Sequence, residues 1–337
     1  MIILGIESSC DETAAAVVKD GRTVLSSVVS SQAALHHPYG GVVPELASRK
    51  HIEAIVPVAE EAVNSAGLRL DQLQALAVTQ GPGLIGSLLV GFTFAKGLAY
   101  ALDIPWVGID HLEGHIQALF LSSDPPPFPF VVLLASGGHT GLYHVASHTE
   151  FALMGQTRDD AAGEAYDKVA KMLDLGYPGG HVIDELAARG NPSAILFPRP
   201  YLDKSAFDFS FSGLKSAVSR YIHTHRDSYR DQINDIAAGF QEAIVEVLCF
   251  KLVQAARVKN CNHIAIAGGV AANQRLRKKI RDLSITEGLF AHIPEKSLCG
   301  DNAAMIATAG FHHLKAGRRA AMSDDVYSRS APRLNLS

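Results

Sequence analysis

The chain has 337 residues, 47% of them hydrophobic and 19% charged, with a formal net charge of -4. That length is more than one compact core usually holds, so two domains are expected; the apolar content excludes a disordered chain, and the acidic balance excludes a protein that grips nucleic acid through its overall charge, leaving only local basic patches. The four cysteines, Cys10, Cys249, Cys261 and Cys299, show no C-x-x-C spacing, which excludes a zinc ribbon and a disulfide framework as the organising device.

The N-terminal stretch MIILGIESSCDET has a short apolar run followed at once by acids. It fits a buried strand and neither a signal peptide nor a membrane span, so a cytoplasmic location without a membrane role is expected. Residues 2–7 and 13–18 read as two strands joined by a polar turn that carries Ser8, Ser9, Asp11 and Glu12. VLSSVVSS is a third strand. After the loop HHPYGG, the segment VPELASRKHIEAIVPVAEEAV has the apolar stripe of a long amphipathic helix, with Ile55 and Val58 on it. LQALAVTQ is a strand, GPGLIGSLLVGFTFAKGLAYAL a glycine-led turn into a helix, IPWVGI a strand and HLEGHIQALF a helix.

SSDPPPFPF then reads as a linker, because proline fits neither a helix interior nor a central strand. FVVLLASGGHTGLYHV repeats the first hairpin, residues 151–156 supply a third strand, and helical patterning runs from about 158 to 229, followed by a long helix to about 258. HIAIAGGVAANQRLRKKI repeats strand, glycine turn and helix, and LFAHIPEKSLCGDNAAMIATAG repeats the strand and helix that carry HLEGH. The element order is duplicated, although few residues are identical. The expected division is 1–121 for the N-terminal half, 122–130 for the linker, 131–325 for the C-terminal half with its helical insertion, and 326–337 for a tail.

The chemistry starts at IDHLEGH. His111 and His115, four residues apart at a strand end, share one helical face, a geometry that suits a divalent metal bound through two imidazoles with a third ligand from a distant part of the chain. The duplication supplies that ligand: the corresponding strand of the second half leads to Asp301, and if the halves face each other across a cleft, symmetry brings it to the histidines. The alternative for Asp301 is an N-cap of the helix that follows. The glycines of SGGHT and AGGVAANQRL let backbone N–H groups approach a phosphate or purine edge, with hydroxyls from Ser136 and Thr140. Asp11 and Glu12 would repel a naked triphosphate, hold a cation, or accept a proton. A zinc peptidase places glutamate directly after the first histidine of H-E-x-x-H; here Leu112 holds that place and Glu113 comes one step later, turned by about 100° on a helix.

Together GIESSCDET, YGGVVPELASRKH, GPGLIGSLLVG, HLEGH, SGGHT, DDAAGEAYDKVAKMLDLGYPGG, DFSFSGLK, AGGVAANQRLR and CGDNAAMIA resemble the bacterial TsaD family, known earlier as glycoprotease-like proteins, almost end to end. The resemblance implies an α/β fold of the actin, hexokinase and Hsp70 type, with two RNase H-like domains around a central cleft. It implies transfer of a threonylcarbamoyl group from threonylcarbamoyl-AMP to N6 of adenosine 37 in tRNAs reading codons that begin with A. By the same resemblance His111, His115 and Asp301 hold one divalent ion, iron or zinc. Leu134, Ala135, Ser136, Gly137, Gly138, His139, Asp167, Gly180, Asp184 and Asn273 form the pocket for threonylcarbamoyl-AMP, with Asp167 offered to a ribose hydroxyl and Asn273 to the adenosine. Asp11 or Glu12 would act as base toward N6. A TsaB-like paralogue, which the resemblance implies pairs with the Ile55 and Val58 face of the long helix, and a TsaE-like ATPase are the implied partners beside tRNA. His181 departs from the proline common after YPGG in relatives, and Gly300 and Ala303 flank Asp301 where threonine and glycine are common. The competing readings are a metallopeptidase, a kinase or ATPase of the same fold, and a non-catalytic scaffold.

Overall fold

A computed structural model describes residues 1–200 and 206–329. They divide into two compact units, the first made of Met1–Ser123 together with the chain from Gly300 onward, the second of Asp124–Cys299.

The first unit opens with β1 (Ile2–Glu7), β2 (Glu12–Lys19) and β3 (Thr23–Ser31), continues through α1 (Ala33–His36), α2 (Pro44–Ser65), β4 (Ala75–Gly81) and α3 (Ile85–Leu102), and reaches β5 (Trp106–Asp110) and α4 (His111–Gln117). Its strands form one sheet in the order β3-β2-β1-β4-β5. β1 pairs antiparallel with β2, Glu7 opposite Ala14, and parallel with β4, Ile3 opposite Ala75. Central strands covered on both faces need apolar side chains throughout, and IILGIE and ALAVTQG are buried along almost their whole length. Glu12, expected in the turn, is the first residue of β2 and pairs with Ser31 of β3.

α2 and α3 cover one face of this sheet. Ala54, Ile55, Val58, Ala59 and Ala62 of α2 pack with Leu4, Ile6, Val78 and the α3 residues Phe92, Ala95 and Ala99. Ile55 and Val58 are therefore core, 5% and 7% exposed, and the expectation that they face a partner is corrected; the exposed apolar residues of α2 are Ile52 and Val56, 65% and 46% open. α3 is long and apolar enough to cross a bilayer by length and composition, yet Leu88, Phe92, Ala95 and Ala99 are buried in this core.

In the second unit β6 (Phe130–Ala135), β7 (Thr140–Ser147) and β8 (Glu150–Gln156) are followed by α5 (Ala162–Met172), α6 (Gly179–Ala187), α7 (Ser212–Thr224), α8 (Ile233–Val258), β9 (His263–Ala267), α9 (Gln274–Glu287) and β10 (Phe290–His292). The sheet order, β10-β9-β6-β7-β8, is that of the first sheet with β6 to β10 standing for β1 to β5, and β6 likewise pairs antiparallel with β7 and parallel with β9. The duplication seen in element order thus holds in sheet topology, and each unit has the RNase H-like arrangement. The expected helical insertion is α5, α6 and α7. Its core gathers around α8, where Phe240, Ile244, Leu248 and Leu252 recur at the four-residue spacing of a buried helix face.

The last helix, α10 (Ala303–Lys315), belongs to the first unit. It lies against β1 because Gly5 has no side chain: a Cβ there would stand 2.2 Å from the Ala303 carbonyl oxygen, and a Cβ at Gly310 would stand 2.3 Å from that of Ala77 on β4. Element order had run this helix on with the C-terminal half, so the 131–325 boundary is corrected from residue 300 onward. Part of the expected tail also packs on the first unit, Tyr327 N donating to Gln80 O at 3.1 Å and its hydroxyl to Asp110 Oδ2 at 3.0 Å; residues 330–337 lie outside the described chain.

Candidate functional site

β5 delivers both histidines. Asp110, its last residue, caps α4 by accepting from Leu112 N at 2.9 Å and Glu113 N at 3.3 Å, which fixes where the helix starts. The His111 and His115 rings then meet edge to face with centroids 4.7 Å apart. Asp301 comes from just before α10. That helix is capped by Asn302, whose side chain accepts from Met305 N at 2.9 Å, so the capping role expected for Asp301 falls to its neighbour. Asp301 Oδ1 instead lies 3.6 Å from His111 Nε2 and 3.1 Å from His115 Nε2, and one ligand atom from each residue falls within 4.8 Å of the others. All three residues belong to the first unit. The docking of α10 against Gly5 brings Asp301 to the histidines, where the sequence reading had relied on symmetry between the halves.

The donor set fits a divalent metal. His115 is 1% exposed and, among the described residues, neither of its ring nitrogens finds a hydrogen-bond partner, the approach to Asp301 being close but poorly aligned. A buried imidazole left this way is costly unless something else completes it. Two imidazole nitrogens and one carboxylate oxygen are what iron or zinc accept at such a centre.

Behind His111 stands a residue that the sequence reading missed. Glu7 Oε2 lies 3.0 Å from His111 Nδ1, and the Glu7 carboxylate also accepts from Thr79 Oγ1 and from Ser9 N. Burial opposes the charged form of each group, yet the carboxylates of Asp301 and Glu7 push His111 up to about 9, and His111 holds the Glu7 carboxyl below its ordinary value. The signal was present in IILGIE: a lone carboxylate closing an otherwise apolar, buried strand needs a partner.

Glu113 is spent elsewhere. Its carboxylate accepts from His313 Nε2 on α10, with both side chains almost fully buried, and His313 Nδ1 is within 3.0 Å of Arg318. A peptidase base would have to be turned to a metal-bound water, so this pairing argues against that reading. Ser31 Oγ donates to Glu12 at 3.4 Å, and burial, then the charges of Asp301 and Asp11, push the Glu12 carboxyl up to about 9. At neutral pH it holds a proton unless a cation offsets Asp301, which restricts the role of base expected of it.

In the second unit the SGGH turn joins β6 to β7, closed by Ser136 N donating to His139 O at 2.8 Å. Leu134 and Ala135 are strand residues in the core, 0% and 1% exposed, so only their backbone is available to a ligand. Thr140 Oγ1 accepts from Ala162 N at the start of α5 at 2.9 Å. Gly137, Gly138 and Gly180 share a property that the turn itself does not demand: a Cβ at any of them would meet nothing within 4 Å, leaving the backbone open to a ligand. The polar residues expected around them are tied into the protein. Asp167 Oδ1 accepts from Gly179 N at 2.8 Å, and Asp184 Oδ2 from Gln274 N at 3.0 Å. Asn273, expected within a helix, is the N-cap of α9, accepting from Leu276 N at 2.9 Å and donating to Gln241 Oε1 at 2.7 Å. The structure thus brings Asp184 and Asn273 together at the start of α9 and places Asp167 beside Gly179 and Gly180.

The family model for TsaD, tRNA N6-adenosine threonylcarbamoyltransferase, matches residues 23–308. The chain belongs to the TsaD family. A tRNA N6-adenosine threonylcarbamoyltransferase of Desulforapulum autotrophicum is 61% identical over 98% of this chain and 99% of its own length. With the TsaD family comes the activity: the chain is an enzyme that forms N6-threonylcarbamoyladenosine in tRNA. Solved structures agree on the fold. HypF of T. kodakarensis superposes with a TM-score of 0.62 at 15% identity, over 94% of this chain and 48% of that one. Component A of the Acidaminococcus fermentans (R)-2-hydroxyglutaryl-CoA dehydratase gives 0.57 at 17%, over 94% and 100%. The TsaD fold here is accordingly that of the actin, hexokinase and Hsp70 group.

Proposed function

We propose that the chain takes threonylcarbamoyl-AMP as donor and adenosine 37 of tRNAs reading codons that begin with A as acceptor, in the cytoplasm, with one iron or zinc ion held by His111, His115 and Asp301. The observation that carries this reading is His115, buried without a hydrogen bond among the described residues and facing a histidine and a carboxylate. Such an ion, when bound, supplies Lewis acidity toward a carbonyl or phosphate oxygen. The chain's own residues do the rest. N–H groups of Gly137, Gly138 and Gly180 face the nucleotide's negative charge, Asp167 holds the backbone beside Gly180 through Gly179 N, and Asp184 and Asn273 fix the start of α9. The adenosine N6 attacks the carbamoyl carbon, a C–N bond forms, the C–O bond to phosphate breaks, and AMP leaves with the electron pair. Glu12, ionised once a cation offsets Asp301, takes the N6 proton, with Asp11 beside it.

A TsaB-like paralogue and a TsaE-like ATPase complete the system in this reading, and the exposed Ile52 and Val56 of α2 with Ile85 and Leu89 of α3 offer the apolar surface on which the paralogue docks. The test is to supply synthetic threonylcarbamoyl-AMP and two unmodified tRNA transcripts, one with adenosine and one with guanosine at position 37, with the partners present. Mass spectrometry should find threonylcarbamoyladenosine in the first alone, with AMP released in equal amount. Equal modification of both transcripts, or none of either, would overturn the proposal.

A further inference from the structure

We propose that Glu7 is a positioning residue that fixes the tautomer and ring orientation of His111, so that Nε2 carries the lone pair offered to the metal. The inference rests on the metal reading above. An ionised carboxylate only accepts hydrogen bonds. With Glu7 Oε2 at 3.0 Å from His111 Nδ1, the neutral ring therefore keeps its proton on Nδ1, and Nε2, the nitrogen nearer Asp301 at 3.6 Å, is the one that gives up its proton to a metal. Ser9 Oγ, 3.2 Å from the same Nδ1, shares that proton as a second acceptor. Glu7 itself cannot swing: it is 0% exposed, Thr79 Oγ1 on β4 donates to one oxygen and Ser9 N to the other. A carboxylate behind a ligating imidazole both orients the ring and raises its basicity, and losing such a support commonly costs 10- to 100-fold in metal affinity.

The arrangement is one-sided. His115 has no such support among the described residues, where its Nδ1 makes no hydrogen bond, so the tautomer of His111 is specified by hydrogen bonding and that of His115 is not. Ligand geometry at this centre accordingly depends on β1 and β4 as well as on the helix that bears the histidines.

The experiment uses the full chain, Co2+ as probe, and a chromophoric chelator as competitor, comparing wild type with Glu7→Gln, Thr79→Val and His115→Ala. Glu7→Gln keeps the shape but can donate its amide N–H to Nδ1 and so stabilise the wrong tautomer. It should bind Co2+ roughly 10- to 100-fold more weakly, and 15N spectra of the metal-free proteins, recorded at a pH above about 9 where the His111 ring is neutral, should show its proton moving from Nδ1 toward Nε2. Thr79→Val, which loosens Glu7 without removing its charge, should weaken binding by a smaller factor and carries the test if Glu7→Gln does not fold. Wild-type affinity in both folded variants, or an Nδ1-protonated His111 in Glu7→Gln, would overturn the assignment of Glu7. A wild type that binds Co2+ no better than His115→Ala would instead overturn the metal reading on which the assignment stands.

Discussion

Replacing Glu113 by alanine separates the two chemistries that HLEGH has suggested. In the structure its carboxylate and the His313 imidazole form a buried pair, with side chains 4% and 6% exposed, that fastens α4 to α10. Breaking a buried ion pair from one side costs about 3–5 kcal/mol. His313 keeps Arg318 at 3.0 Å, which argues for the lower end, about 3 kcal/mol including the small cavity. For a folding unit of 150–250 residues each kcal/mol moves the melting point by about 2–4 °C, so the first unit should melt roughly 6–12 °C lower. Glu113→Gln, which keeps an acceptor of the same shape, should lose no more than about half of that. Metal content and single-turnover transfer, measured well below the new melting point, should stay within about threefold of wild type, because the Glu113 carboxylate is taken up by His313. Circular dichroism melts, metal analysis and the transfer assay on the same preparations decide it. An unshifted melting point combined with a transfer rate lowered 10²-fold or more, the scale of a lost general base, would refute the reasoning.

Three further outcomes follow from the packing. Asn302→Ala removes the α10 cap and should cost about 1 kcal/mol, while Asp301→Asn should leave the melting point nearly unchanged and abolish tight metal binding; metal titration of the two variants separates cap from ligand. Ile52→Glu on the exposed face of α2 should weaken association with a TsaB-like partner in a pull-down without altering the melting curve, whereas Ile55→Asp, which buries a charge in the core, should destabilise by at least about 2–5 kcal/mol; the reverse pattern would return Ile55 to the interface. In the second unit, burial alone would raise the Glu242 carboxyl, but hydrogen bonds from Arg275 and Lys279 bring it to about 2. A depressed carboxylate contributes stability above its unfolded value near 4.5, lost as pH falls toward 2; the unfolding free energy from urea melts over that range should drop by roughly 1 to 2 kcal/mol after discounting solvent screening, and Glu242→Gln should flatten the curve.

Much of this was legible in the sequence because it is carried by periodicity. The apolar runs of β1, β4, β6 and β9 and the turns between them disclosed the duplicated sheet, and the His-x-x-x-His spacing disclosed one face of α4. What stayed hidden depends on contacts between residues far apart. The return of α10 to the first sheet is decided by the missing side chains of Gly5 and Gly310, and those glycines show no partner in sequence. Ile55 and Ile52 lie on the same amphipathic helix, and only the position of α3 decides which of them is buried. Glu7 and Thr79 looked like ordinary strand residues until β1 and β4 were paired. Asn302 took the cap expected of Asp301 because the helix starts one residue later than the sequence pattern suggested, and that single residue frees the carboxylate for the histidines.

The central claim, that a metal at His111, His115 and Asp301 operates the transfer, is tested most directly by measuring the single-turnover rate of threonylcarbamoyl transfer against metal occupancy, beginning from chelated protein and adding back iron or zinc in steps. The rate should rise in proportion to occupancy and level off at one ion per chain, and His115→Ala should stay at the chelated level throughout. A full rate in the chelated wild type, or in His115→Ala without bound metal, would contradict the account.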